Sequence, residues 1–183
     1  MKFHSKNNRG FTLIEMIIYV LIFSMIFTLV LVLFGRVQKA GGRSQVAIDL
    51  RENAEQVMHL IGHSVREANS ISVSGSVFGT DEGRVTLVGD DTLVFDTHVQ
   101  QIVLSGVTKN VRRIKMTKNG QPAVNITSNR VHVERFRLTD LSGGGSPRSF
   151  QLELALSSVN PGDDPDYAGN LVTRSYFTLR EDL

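Results

Sequence analysis

Gly10-Phe11-Thr12-Leu13-Ile14-Glu15, followed by the apolar run from Met16 to Phe34, decides how this chain of 183 residues must be arranged. From Phe11 to Phe34 the only ionisable group besides the Tyr19 phenol is Glu15. At 1.5 Å per residue the run makes roughly 36 Å of helix, enough to cross a hydrocarbon core of about 30 Å. It is apolar on every face, so as a helix it belongs in lipid or among other helices. Ser24 and Thr28 are compatible with this, because their hydroxyls can bond back to the preceding turn.

Glu15 is the anomaly. A carboxylate inside a membrane helix costs on the order of 2.5–3.5 kcal/mol at the bilayer centre, so it normally has a partner and a purpose. Met16, Ile17, Ile18 and Tyr19 supply no positive charge. A cut between Gly10 and Phe11 would supply one, as an α-amino group one helical turn away.

Arg9-Gly10-Phe11-Thr12-Leu13-Ile14-Glu15, after a short basic leader and before an apolar helix, resembles the prepilin signal of type IV pilins and of type II secretion pseudopilins. The resemblance implies cleavage between Gly10 and Phe11 by a prepilin peptidase and methylation of the new Phe11 amine. It further implies an assembly role for Glu15, paired with such an amine on a neighbouring pilin or pseudopilin subunit. A secretory signal fits less well, since its apolar region is shorter and ends at a small-residue cleavage site. Phe34-Gly35-Arg36-Val37-Gln38-Lys39 offers none. A plain single-pass anchor remains open but leaves Glu15 unexplained. Lys2, Lys6 and Arg9 nearly balance Arg36, Lys39 and Arg43, so charge does not set orientation. The resemblance places the N-terminus in the cytoplasm, the anchor in the inner membrane and the C-terminal domain outside it, later in a filament.

The chain has room for this helix and one soluble domain. A net charge of +2 forces no polyelectrolyte character, and the absence of cysteine removes disulfides and thiol chemistry together. Gly35 and the pair Gly41-Gly42 are expected to soften the helix, each costing about 1 kcal/mol relative to Ala. Beyond them Val46, Leu50, Ala54, Val57, Ile61, Val65 and Ala68 recur at spacings of four and three, an amphipathic helix interrupted around Gly41 and ending near Asn69-Ser70.

The remainder reads as β-structure, short alternating runs bounded by Gly, Asp and Asn. Matching apolar faces pairs Leu87 with Leu93 and Val85 with Phe95 across the loop Gly89-Asp90-Asp91. An odd loop, Asn119 to Gln121, pairs Met116 with Val124 and Ile114 with Ile126; a two-residue Asn119-Gly120 turn would throw them onto opposite faces. Val131 and Val133 are out of phase with Phe136 and Leu138, which a β-bulge near Glu134-Arg135 would correct. Ser142 to Pro147 reads as a flexible loop. Phe150, Leu152, Leu154 and Leu156 alternate cleanly, and a last strand runs from about Leu171 to Leu179.

The expected fold is therefore α+β: a long N-terminal membrane-spanning helix leading into an antiparallel β-sheet domain. Residues 1–10 form a leader, 11–34 the transmembrane and filament-core helix, 35–70 its amphipathic continuation and 71–183 the extracytoplasmic β domain. This order of elements looks like the minor pilins and the J-class minor pseudopilins, which are structural proteins.

Three further groups of residues bear on chemistry. His59 and His63 have zinc-compatible spacing, but Leu60-Ile61-Gly62 between them lacks the glutamate of a zincin and no third ligand is evident. Asp163, Asp164 and Asp166 could ligate calcium, although Asn, Asp, Pro and Gly are also what any solvated turn contains. Lys109, Arg112, Arg113, Lys115, Lys118, Arg130, Arg135 and Arg137 could form a basic face for DNA or an acidic partner, as in a tip pilin that captures DNA or a surface, with Arg112, Arg113, Lys115 and Arg135 as the DNA candidates, or merely a solvated strand face that discourages edge pairing. No nucleophile motif, phosphate loop or telling carboxylate pair argues for an enzyme, and no cofactor is implied.

Overall fold

The computed structural model describes residues 12–143, 148–160, 162 and 164–180, with the backbone alone at 38–40 and 166. Among the described residues one long helix, α1 (Leu13–Glu67), precedes eight strands. The strands are β1 (Ser70–Ile71), β2 (Val85–Val88), β3 (Thr92–Leu104), β4 (Val107–Lys118), β5 (Val124–Asn125), β6 (Val131–Asp140), β7 (Ser149–Ser158) and β8 (Asn170–Thr178). The fold is α+β, with a long apolar N-terminal helix and antiparallel sheets. The chain divides into two units, Met1–Gly41 and Gly42–Leu183.

In the first unit the described residues are helical from Leu13 onward, and the apolar side chains of Leu13 to Phe34 are all exposed, from 49 to 82 %. No described residue covers them, and the segment is long and apolar enough to cross a membrane. The Ser24 hydroxyl donates to the Val20 carbonyl at 2.6 Å and Thr28 to that of Ser24 at 2.8 Å, so both polar groups are satisfied without a partner chain. The helical assignment passes through Gly35, Gly41 and Gly42 without a break, so the interruption expected around Gly41 is absent. Glycine lowers helix propensity by about 1 kcal/mol per residue, a cost that propagation from helical turns on both sides can absorb.

The second unit is built on the amphipathic part of α1. Leu50, Ala54, Val57, Ile61 and Val65 are buried along one stripe, as their spacing requires, and Val46 packs at its start. They share a hydrophobic core with Val85, Leu87, Phe95 and Ile114 of a five-stranded sheet, ordered β1-β2-β3-β4-β5. The same core takes in Phe136 and Leu138, and Phe150, Leu152, Leu154 and Leu156, of a three-stranded sheet ordered β6-β7-β8. Each such side chain contributes roughly 1.5–3 kcal/mol on burial, so this unit holds together without disulfides.

Register follows the apolar faces. Val85 pairs with Phe95 and Leu87 with Leu93, leaving Gly89-Asp90-Asp91 as the loop. Met116 pairs with Val124, and the Ile126 N–H donates to the Ile114 carbonyl at 2.8 Å. An odd number of residues, 117–123, separates that pair, and the chain reverses at Asn119 and Gly120, at φ values of 50° and 69°. Val124 nonetheless stays 61 % exposed, because β5 is two residues long and only Ile126 beyond it reaches the core. In β6 the register shifts between Val133 and Arg135, and Val131, Val133, Phe136 and Leu138 are all fully buried.

The longest pairing was not foreseen. β3 and β4 run side by side for twelve residue pairs, closed by Ser105 and Gly106 at φ values of 50° and 79°. Positive φ at both central positions marks the turn whose twist suits a tight hairpin.

The two sheets are stitched together. The Phe136 N–H donates to the Asp81 carbonyl and the Gly83 N–H to the Phe136 carbonyl, both at 2.8 Å. A Cβ on Gly83 would lie 2.6 Å from the Phe136 carbonyl oxygen, so only glycine permits this approach.

Candidate functional site

At the start of α1, Thr12 is the N-cap: its Oγ1 accepts the Glu15 N–H at 3.3 Å, and its carbonyl accepts the Met16 N–H at 3.3 Å. Thr12-Leu13-Ile14-Glu15 is thus a T-x-x-E capping sequence, a signal present in the chain but overlooked in favour of the carboxylate alone. Glu15 stands in the first turn, where the helix dipole favours a negative charge. It is half-buried, whereas the apolar side chains around it are exposed. Gly10 and Phe11, the expected cleavage pair, lie outside the described residues.

The residues of the expected basic face are threaded with carboxylates, and Arg112 and Arg113, successive in β4, project to opposite sides of the strand. Arg112 meets Glu82 at 2.5 Å and also donates to the Val133 and Glu134 carbonyls at 3.4 and 3.3 Å. Arg135 lies 3.1 Å from Asp81 and is bonded to Glu153; Arg137 meets Asp81 at 2.7 Å. Arg113 is bonded to the Thr127 carbonyl through Nε at 2.9 Å and to Gln100 at 3.1 Å, and burial lowers its guanidinium below the ordinary arginine value. Lys118 meets Asp91 at 2.5 Å, and Arg130 lies 3.8 Å from Asp49. Lys115 faces Asp96 across the β3–β4 ladder. Three of the four DNA candidates therefore serve the fold, and a phosphate would have to displace Glu82 and Glu153.

The bonds to Arg135 and then Arg174 hold the Glu153 carboxyl below its usual range, and the same Glu153 bond raises Arg135. Lys118 and Asn119 lower Asp91 in the same way. His98 is pushed down by burial first, then by Lys115 and Arg113 nearby.

His63 Nδ1 lies 3.2 Å from Glu67, one helical turn on, and both side chains are largely exposed. Of the calcium candidates, Asp163 lies outside the described residues, the Asp166 side chain is not described, and Asp164 is exposed. Among the described residues no group of three His, Asp or Glu side chains is gathered as a metal site.

A family model described as the prokaryotic N-terminal methylation motif matches residues 5–31. No curated protein and no solved structure matches the chain. The matched segment takes in Gly10, Phe11, the Thr12 cap, Glu15 and most of the exposed apolar helix, and the motif belongs to structural rather than catalytic proteins. The chain thus carries the prepilin-type N-terminal signal, which fits a membrane-anchored type IV pilin or pseudopilin precursor.

Proposed function

We propose that the precursor is cut between Gly10 and Phe11 by a prepilin peptidase, which also methylates the new amine. The mature subunit then leaves the inner membrane for a pilus-like or type II secretion filament, or its priming tip, as a minor pilin or pseudopilin. Its β domain lies on the extracytoplasmic side.

The observation that carries this proposal is the motif match running straight into a helix exposed on every face. In the membrane that surface meets lipid; in a filament it meets the same surface on neighbours, and close packing replaces the lipid contacts. Glu15 then pairs with the Phe11 amine of an adjacent subunit. The pairing offsets part of the cost of holding a carboxylate in lipid, which reaches roughly 2.5–3.5 kcal/mol only at the bilayer centre, and so favours one axial register over its neighbours.

Mass spectrometry of protein from cells with a prepilin peptidase tests the processing. The expected product begins at N-methylated Phe11, and Gly10→Ala reduces its yield. An intact leader with the peptidase present would leave only an anchored β domain outside any filament.

A further inference from the structure

Sheet edges are where β proteins invite or refuse other chains, and of the four terminal strands of the two described sheets in the unit Gly42–Leu183, three refuse. β1 and β5 are two residues long. β6 carries a bulge and is covered by the Asp81 and Gly83 backbone. β8 differs. It runs nine residues in unbroken register with β7, contains no proline, glycine or lysine, and has Arg174 as its single charge. Short strands, bulges, lysine and proline are the usual protections of an edge, and β8 has none of them.

The hydrogen bonds at its two ends fix which backbone groups are open. Ser158 N–H donates to the Gly169 carbonyl at 2.9 Å and Leu179 N–H to the Arg148 carbonyl at 2.8 Å, so the odd-numbered residues bond to β7. The N–H and C=O groups of Asn170, Val172, Arg174, Tyr176 and Thr178 therefore project away from the sheet. The core-facing row tells the same story. Phe150, Leu152, Leu154 and Leu156 on β7 are at most 1 % exposed, whereas Leu171, Thr173, Ser175 and Phe177 on β8 are only half-buried. Beside β8 a groove of about 510 Å³ separates its start from α1, lined by Ala47, Ile48, Leu50 and Leu171 with Arg51 and Glu55 at its side. Ile48 in that groove is 54 % exposed.

We infer that β8 is a docking edge that accepts an extended strand from a different polypeptide, which completes the three-stranded sheet and covers the groove along α1. Main-chain bonds to the even-numbered residues give the affinity; alternate apolar side chains of the incoming strand cover Ile48 and Leu171. Charge identifies the occupant further. Asp81 and Glu153 are shared by Arg135, Arg137 and Arg174, two carboxylates for three guanidiniums, and the surplus positive charge reaches the edge at Arg174. An acidic residue opposite Arg174 is favoured there. A second copy is not, because the antiparallel register that pairs all nine residues of β8 with themselves sets Arg174 against Arg174.

The test appends a probe strand to the full chain in detergent micelles through a flexible linker, which gives an effective concentration of roughly millimolar. The probe has nine alternating valines and threonines with a central glutamate, or a central lysine in the control. With the glutamate strand, amide exchange at Val172, Arg174 and Tyr176 should slow by about tenfold or more. Val172→Pro and Tyr176→Pro remove outward-facing N–H groups without touching the β7 ladder, and should abolish that protection while Leu154 keeps its own. The lysine strand should protect less, and Arg174→Glu should reverse the preference, which decides the matter if a proline variant unfolds. Equal protection by both strands, persistence in a folded proline variant, or no protection at all would overturn the inference. So would concentration-dependent protection of β8 in the chain without a probe, which would mean that a second copy is the occupant.

Discussion

Thr12 Oγ1 accepts the backbone N–H of Glu15 at 3.3 Å, so the residue that carries the charge also closes the first turn of α1, with a group other than its carboxylate. Replacing Thr12 by Val removes the cap and should cost about 1 kcal/mol at the helix start. Faster amide exchange over Leu13 to Met16, with Leu29 unchanged, is the expected result. Glu15→Gln keeps the backbone bond and loses only the charge, which lets helix formation and assembly be examined separately.

Asn53 is the one buried side-chain amide on the packed stretch of α1. Its Oδ1 accepts the Ser128 N–H and its Nδ2 donates to the Asp49 carbonyl, both at 2.7 Å. Asn53→Ala leaves the Ser128 N–H without its acceptor and should cost about 1–3 kcal/mol. Urea unfolding of the full chain in micelles measures it; a change below about 0.5 kcal/mol would show that water replaces the side chain freely.

Gly83→Ala should destabilise more than a surface substitution, by upwards of about 1 kcal/mol, since the new methyl collides with the Phe136 carbonyl oxygen. Exchange at the Phe136 and Leu138 amides should quicken first.

Acid should weaken the Gly42–Leu183 unit partly through Glu153. Held below the usual glutamate range by Arg135 and then Arg174, this carboxyl binds fewer protons folded than unfolded. Its contribution is therefore present above the ordinary glutamate pKa and is lost as pH falls through the lowered one. Glu153→Gln should be less stable than the wild type near neutrality and lose less between pH ~6 and ~3. Parallel losses in both proteins would remove Glu153 from the account.

Much of this was legible in the sequence wherever one physical constraint dominated. The apolar stripe of α1, the faces that set β2 against β3, and the bulge at Val133–Arg135 each follow from keeping buried side chains on one side. The β3–β4 ribbon was missed because Val99, Val103 and Val107 are exposed, so no buried face announces it; the Ser105-Gly106 turn was the available signal. The ion pairs of the basic residues were not legible for a different reason. Asp81, Glu82 and Glu153 are far from Arg112 and Arg135 along the chain, and only the fold brings them together. The Thr12 cap is an uncharged backbone contact, which the T-x-x-E spacing signals less loudly than the carboxylate of Glu15.

The most direct test concerns Glu15. The chain has no cysteine, so single cysteines placed along Ile17 to Phe27 report contacts with matching cysteines on partner pilins without background. In a host that expresses those partners, Glu15→Gln should insert and be cleaved like the wild type, because the Thr12 cap and the apolar run are intact. Its crosslinks to partner helices should fall steeply, with Glu15→Asp intermediate because the shorter side chain keeps the charge and loses reach. If Glu15→Gln crosslinks and enters filaments as well as the wild type, the carboxylate does not set the register, and the proposed assembly mechanism is wrong.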